Sequence, residues 1–175
     1  TYDAHAPLQD RMAEAILQTL IEVGPKVLAD PGDYEARATW MWSATVALNG
    51  LIGCGVPQDW ATHMIGHELT AVYGLDHAQT LAIVLPALLE SQRARKRAKL
   101  LQYGERVWGI RDGGEEERID AAIAKTEGFF RSMGLKTRLA ECGITQGVEQ
   151  IPARFEQRGT VLGEHKAIGP PQVAE

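Results

Sequence analysis

The stretch AQTLAIVLPALLE, residues 78–90, is apolar on nearly every face of a helix. A helix with this pattern is typically buried on all sides within a larger core. We therefore predict that residues 78–90 form the central helix of the fold and that the segments before and after them pack around it.

The segments before this stretch also have a helical period. Apolar residues recur at helical spacing over residues 8–23, until Gly24 and Pro25 interrupt the pattern. A second helix is predicted from Asp33 to Leu51, where the glycines of NGLIGCG, residues 49–55, end it. The sequence thus predicts two amphipathic helices ahead of the central one.

A third helix is predicted after Pro57, with Asp59 as its cap and Gly74 as its end. Beyond the central helix, the pattern predicts helices over residues 93–109 and 113–134, shorter ones over 139–142 and 148–157, and a last one opened by Pro170 and Pro171. No run alternates convincingly between apolar and polar residues as a strand would. The predicted fold class is all-α, a helical bundle-like domain.

Size and composition are those of one globular unit. The chain has 175 residues, of which 45% are hydrophobic and 23% charged, so it can bury one sizeable core. A net charge of -5 gives no general attraction for nucleic acids or anionic lipids. No apolar run approaches the roughly 20 residues that span a bilayer, and we expect a cytoplasmic protein with no membrane or nucleic-acid partner.

Several single residues receive structural interpretations. Cys54 and Cys142 lack the spacing of a disulfide framework, and we expect buried or inert thiols. We interpret Trp40 and Trp42 as packing residues, whereas Trp60 is equally a core aromatic or a wall of a cleft. The basic run over residues 93–99 is typical of a solvated helix face, and His165 of a surface position.

Three of the five histidines lie in THMIGHELTAVYGLDHAQ, residues 62–79. His63 and His67 share one helical face because a four-residue step rotates only about 40° beyond a full turn. After Gly74 the chain can reverse and bring His77 back towards that face. The pattern indicates either a metal-binding cluster or structural histidines. A metallopeptidase is not favoured, because Met64 stands where that motif needs its general-base glutamate.

The H-x3-H-x9-H pattern, preceded by NGLIGCGVPQDWAT and followed by AQTLAIVLPALLE, resembles the C-terminal helical domain of the iron-containing (group III) alcohol dehydrogenases. The likeness is to the NADPH-dependent aldehyde reductase and butanol dehydrogenase branch. It continues through RAKLLQYGERVWGI and ERIDAAIA and fades only over the last thirty or so residues.

The resemblance implies that His63 and His77 bind a divalent metal, iron or zinc, and that His67 is an active-site residue beside it. The family's other two ligands, an aspartate and a histidine spaced D-x3-H, fall before Thr1 in this alignment. Asp3 and His5 are alternatives, although their spacing is D-x-H. The family's coenzyme-binding α/β domain also precedes this one, and GLIGCG follows no predicted strand that would make it a phosphate-binding loop.

We therefore expect residues 1–175 to be one metal-binding domain, a fragment of a homodimeric enzyme that interconverts short aldehydes and alcohols with NADP(H). Two alternatives stay open at this point. One is a self-contained metal-dependent hydrolase, which needs a complete ligand set within these residues. The other is a non-catalytic helical module in which the histidines are structural.

Overall fold

The computed structural model describes residues 6–175, and the regular secondary structure in that range is helical, as the sequence predicts. Leu162 and Ile168 form one isolated antiparallel β-bridge, and residues 6–175 contain no β-strand beyond it. The described helices are α1 (Pro7–Ala29), α2 (Tyr34–Leu48), α3 (Ala61–Tyr73), α4 (His77–Ser91), α5 (Arg97–Trp108), α6 (Glu115–Ser132), α7 (Gln150–Gln157) and α8 (Pro170–Ala174).

Helix α4 lies at the centre of the fold, which confirms the prediction for residues 78–90. Val84 and Leu88 of α4 belong to one buried apolar cluster, which they share with α3, α7 and the bridge residues. Leu89 belongs to a second buried cluster, formed with α5 and α6. One apolar helix therefore joins the two halves of the core.

Helix α1 continues to Ala29, so the prediction that Gly24 and Pro25 end it was wrong. Gly24 is buried where α1 crosses α2, and a Cβ atom there would lie 2.8 Å from the ring of Trp40. Close packing of this turn compensates for the hydrogen bond that Pro25 cannot donate within the helix. The contact between α1 and α2 thus keeps the helix intact through a glycine and a proline that would usually end it.

Helix α2 ends at Leu48, before the predicted end at residue 51. The amide of Leu51 donates to Oδ1 of Asn49 over 3.0 Å, and Gly50 adopts a left-handed φ of 88°. An asparagine and a glycine together stop the helix here, because the side-chain acceptor and the positive φ both favour a turn. A short 3₁₀ turn, Leu51–Gly53, follows.

The two tryptophans of α2 differ. Trp40 packs against Gly24 as predicted, but Trp42 is 68% exposed and is not a packing residue in this chain. Its neighbours on the outer side of α2, Tyr34, Met41 and Leu48, are also exposed. Helical periodicity identified an apolar helix but not which of its faces meets the rest of the domain.

The basic run at residues 93–99 is not simply a solvated face. The Lys96 side chain is only 4% exposed, and its ammonium group donates to Asp59 Oδ2 over 2.8 Å and to Glu164 Oε2 over 2.9 Å. We call these three residues the Lys96 ion cluster. Lys99 similarly pairs with the buried Asp10 over 2.7 Å. The prediction failed because the acidic partners lie far away in sequence.

The remaining predictions have mixed outcomes. His165 is exposed, as expected, and both cysteines are free, although Cys54 is exposed rather than buried. Asp3 and His5 lie outside the described residues. Among residues 6–175, no helix is long and apolar enough to cross a membrane.

Candidate metal centre

Helix α3 and the first residue of α4 bring the three clustered histidines together. His63 and His67 lie one turn apart on α3, which ends at Tyr73 and is followed by Gly74 with a φ of 68°. The left-handed glycine lets the chain reverse within two further residues, so that α4 begins at His77 beside the same face. The turn predicted from the sequence is therefore present.

The spacing of the imidazole rings is suited to a shared metal ion. The ring centroids of His63 and His77 lie 5.3 Å apart, those of His67 and His77 5.4 Å, and those of His63 and His67 6.4 Å. Two imidazoles on one tetrahedral ion, with metal–nitrogen distances of about 2.0–2.1 Å, have centroids about 5 Å apart. His77 can thus share an ion with either histidine of α3, and distance alone does not choose between them.

The surroundings of the rings do distinguish them. His63 is half-buried, whereas His67 and His77 are exposed. Burial lowers the pKa of His63, and the neighbouring charges of His77 and His67 lower it further. A lowered pKa keeps the His63 imidazole neutral near pH 7, which is the form that binds a metal.

Trp60 lies beside this group of histidines. Its ring meets the ring of His63 edge-on, with centroids 5.1 Å apart, and the residue remains 47% exposed. This exposure argues against the core aromatic of the two interpretations that the sequence left open, and the wall of a cleft stays a prediction.

The start of α3 is held by the Lys96 ion cluster. The N-cap residue of α3 is Trp60 and not the predicted Asp59, but Asp59 Oδ1 accepts a hydrogen bond from the Ala61 amide over 2.7 Å and so still satisfies the first amide of the helix. Burial raises the pKa of Asp59, but hydrogen bonds from Lys96 and the Ala61 amide outweigh that effect and leave the pKa below its ordinary value. Asp59 therefore stays ionised and connects the histidine helix to the start of α5.

The opposite side of α3 is held by Glu68, which is buried. Its carboxylate accepts hydrogen bonds from Arg154 of α7 and from Arg158 just beyond that helix. Burial raises the pKa of Glu68, but the hydrogen bonds and positive charges of Arg158 and Arg154 together bring it below the ordinary value. A negative side chain at residue 68 thus fixes α3 to α7.

These supporting residues escaped the sequence analysis. Lys96 was assigned to a solvated helix face, and no structural role was predicted for Glu68 or Glu164. One signal was available for Glu68, because it follows His67 directly and so lies on another face of the same helix. Glu164 has no comparable local signal.

The described part of the chain supplies only part of a coordination sphere. Within residues 6–175, no three His, Cys, Asp or Glu side chains are arranged to hold a metal ion together. The arrangement offers a pair of imidazoles, His77 with one histidine of α3, to which further ligands would have to be added.

Comparison with known proteins identifies relatives for nearly the whole chain. The model of the Fe-containing alcohol dehydrogenase family, C-terminal, matches residues 2–158. The NADPH-dependent aldehyde reductase YqhD of Escherichia coli is 59% identical over 170 residues, which cover 96% of this chain and 44% of that protein. The NADP-dependent alcohol dehydrogenase 3 of Entamoeba histolytica is 42% identical over 163 residues, covering 93% of this chain and 41% of that protein.

A solved structure of the E. coli relative has the same fold as this chain over nearly its whole length. The substrate- and cofactor-free form of the E. coli aldehyde reductase YqhD superposes with a TM-score of 0.95 at 57% identity, over 98% of this chain and 46% of that one. The chain therefore spans somewhat less than half the length of the relatives that it matches.

Proposed function

Because this chain belongs to the iron-containing alcohol dehydrogenase family, we propose that the intact protein interconverts short aldehydes and alcohols with NADP(H). In this proposal the chain supplies part of the metal and substrate site. The observation that carries it is the pair of imidazoles, His63 and His77, with centroids 5.3 Å apart on a reversing segment.

His63 and His77 are the proposed ligands of a divalent ion, iron or zinc. Imidazole nitrogen suits both metals. Bound there, the ion would supply positive charge to stabilise the negative charge that gathers on the substrate oxygen as hydride reaches the carbon. The half-buried, neutral His63 is better suited than the exposed His67 to be the ligand contributed by α3.

His67 is the proposed catalytic residue. It lies one turn from His63 on the same face and is exposed, so it can reach a substrate or coenzyme in the cleft. Two roles fit this position: relaying a proton to or from the substrate oxygen, and orienting the nicotinamide. Trp60, on the other side of His63, would exclude water from one edge of the cleft.

The proposed domain organisation follows from the coverage of the relatives. Residues 1–175 would be the helical metal-binding domain, and a preceding α/β domain would bind the coenzyme and complete the ligand set. NADP(H) is supported by the names of the E. coli and Entamoeba histolytica relatives. We also propose a homodimer in the cytoplasm, where the two free cysteines suit a reducing compartment.

The test is NADPH oxidation with butyraldehyde by the intact enzyme and its variants. His63→Ala and His77→Ala should lose both bound metal and turnover, whereas His67→Ala should keep the metal and lose rate. His165→Ala, at an exposed histidine outside the H-x3-H-x9-H pattern, is the matched control and should change neither. Full metal content and full activity in His77→Ala would contradict the proposal.

The same experiment separates the alternatives. A non-catalytic helical module would hold no metal and show no turnover even as the intact protein. A self-contained hydrolase needs a complete ligand set, which residues 6–175 do not provide. Metal analysis of the intact protein therefore distinguishes the enzyme from the module directly.

A further inference from the structure

Gly66 lies in the middle of α3, between His63 and His67, at a point where α3 and α4 approach each other closely. A Cβ atom at this position would lie 2.9 Å from Oγ1 of Thr80 and 3.4 Å from Cδ2 of Leu81. Glycine in a helix interior costs about 0.5–1 kcal/mol relative to alanine. This cost is explained if the fold needs α3 and α4 to approach each other as closely as they do at Gly66.

Thr80 cannot easily make room for a larger residue. It is fully buried, and its hydroxyl donates to the backbone carbonyl of His77 over 2.8 Å. Rotating the side chain would break that bond, and one of the two other rotamers of this β-branched residue would put its methyl group in the place of the oxygen. A methyl group on Gly66 would therefore push the two helices apart rather than displace a flexible side chain.

The displacement would act directly on the histidines. Carbon and oxygen atoms in ordinary contact are separated by about 3.5 Å, so α3 would have to move away by roughly half an ångström. The ligands of a metal site must be held within about 0.5 Å of their working positions, so a displacement of this size would reach that limit. His63 and His67 would move with α3, while His77 would stay with α4.

We infer that Gly66 is a positioning residue: its lack of a side chain sets the separation between the α3 histidines and His77 through contact with Thr80. This inference rests on the proposed function, because it gives the spacing a purpose in metal binding. It adds a residue that neither contacts the metal nor belongs to the ligand pattern.

The experiment measures Zn²⁺ affinity of the metal-free intact enzyme by competition with a chelator, together with the absorption spectrum of the Co²⁺-loaded form. Gly66→Ala should weaken Zn²⁺ binding at least about tenfold, as is typical for residues that support metal ligands, and should alter the Co²⁺ spectrum.

Two other glycine-to-alanine variants serve as controls. Gly104→Ala meets the Ala122 Cβ at 3.2 Å, so it introduces strain between α5 and α6, away from the histidines. Gly128→Ala on α6 meets no atom within 4 Å. Both should keep the Zn²⁺ affinity and the Co²⁺ spectrum of the unmodified enzyme, even if Gly104→Ala lowers the melting temperature.

A double variant keeps the inference testable if Gly66→Ala folds poorly. Thr80→Ala removes the oxygen that the new methyl group would meet, so Gly66→Ala with Thr80→Ala should bind Zn²⁺ more tightly than Gly66→Ala alone, or should fold where the single variant does not. A folded double variant that shows no recovery would overturn the inference.

The outcomes also separate this inference from the proposed function. Unchanged affinity in Gly66→Ala, combined with loss of binding in His63→Ala and His77→Ala, would refute the role of Gly66 alone. Unchanged affinity in the two histidine variants would refute the proposed metal centre itself.

Discussion

Replacing Lys96 with methionine should strongly destabilise the domain, because it leaves two carboxylates buried without their counterion. The side chains of Lys96, Asp59 and Glu164 are 4%, 3% and 8% exposed, so water cannot screen the remaining charges. The methionine side chain has nearly the length of the aliphatic part of lysine, so the substitution removes little buried apolar surface. The charge is therefore the main change.

The expected loss is about 3–5 kcal/mol of unfolding free energy, the usual cost of removing one partner from a buried ion pair. For a domain of this size, that corresponds to a melting temperature lower by roughly 6–20 °C. Urea unfolding of the 175-residue chain, followed by circular dichroism, measures the loss. Lys136→Met, at an exposed position, is the control and should stay within about 0.5 kcal/mol.

The loss should depend on pH with a defined sign. Without Lys96, the hydrogen bond and charge that lower the pKa of Asp59 are lost, and burial is left to raise that pKa above its unfolded value. The penalty is then complete above the raised pKa of Asp59 and shrinks as the pH falls through it, so it should be smaller at about pH 5 than at pH 8. A loss below about 1 kcal/mol at pH 8, or one that does not change with pH, would refute the reasoning.

Three further results are expected. The 175-residue chain alone should bind Zn²⁺ with a dissociation constant of about 1 µM or weaker, far from a four-ligand site, and calorimetry showing tight stoichiometric binding would contradict this. In NADPH oxidation with butyraldehyde, the 175-residue chain alone should show no turnover. The proposed coenzyme-binding domain is needed to hold the nicotinamide about 3–3.5 Å from the substrate carbon. Turnover by the chain alone at the intact enzyme's rate would contradict this prediction. Finally, since the folded-state pKa of Glu68 is lowered, its stabilising contribution is present above the unfolded pKa of about 4.3 and is lost as the pH falls through the folded value. Melting curves from pH 7 to pH 3 should therefore show a smaller acid-induced drop for Glu68→Gln than for the unmodified chain, and equal drops would exclude this role.

Local patterns in the sequence were sufficient for the features that form locally. The histidines converge because a four-residue helical step and one left-handed glycine at residue 74 act within fifteen residues of chain. The all-helical class and the central position of α4 likewise follow from periodicity and from an unbroken apolar run. Each of these depends on neighbouring residues, which a sequence displays directly.

The features that sequence analysis missed depend on distant residues. Lys96 is buried because Asp59 and Glu164, 37 and 68 residues away, converge on it. Helix α1 passes through Gly24 and Pro25 because α2 packs tightly against that turn. Propensity and charge patterns contain no information about which distant segments meet, so these residues were assigned to a surface and to a helix end.

Contacts from α4, α7 and the Lys96 ion cluster hold α3 in place, and they bear on how the proposed centre would work. Gly66 holds α3 against α4, Glu68 holds it to α7, and Asp59 fixes its first turn. At about 100° per residue, Gly66 and Glu68 lie on nearly opposite faces of the helix, so the contacts restrain it from two sides. The separation of the imidazoles is therefore set by the core before any ion binds. Little binding free energy would then be consumed in ordering the helix, and more would remain to hold the ion and polarise the substrate.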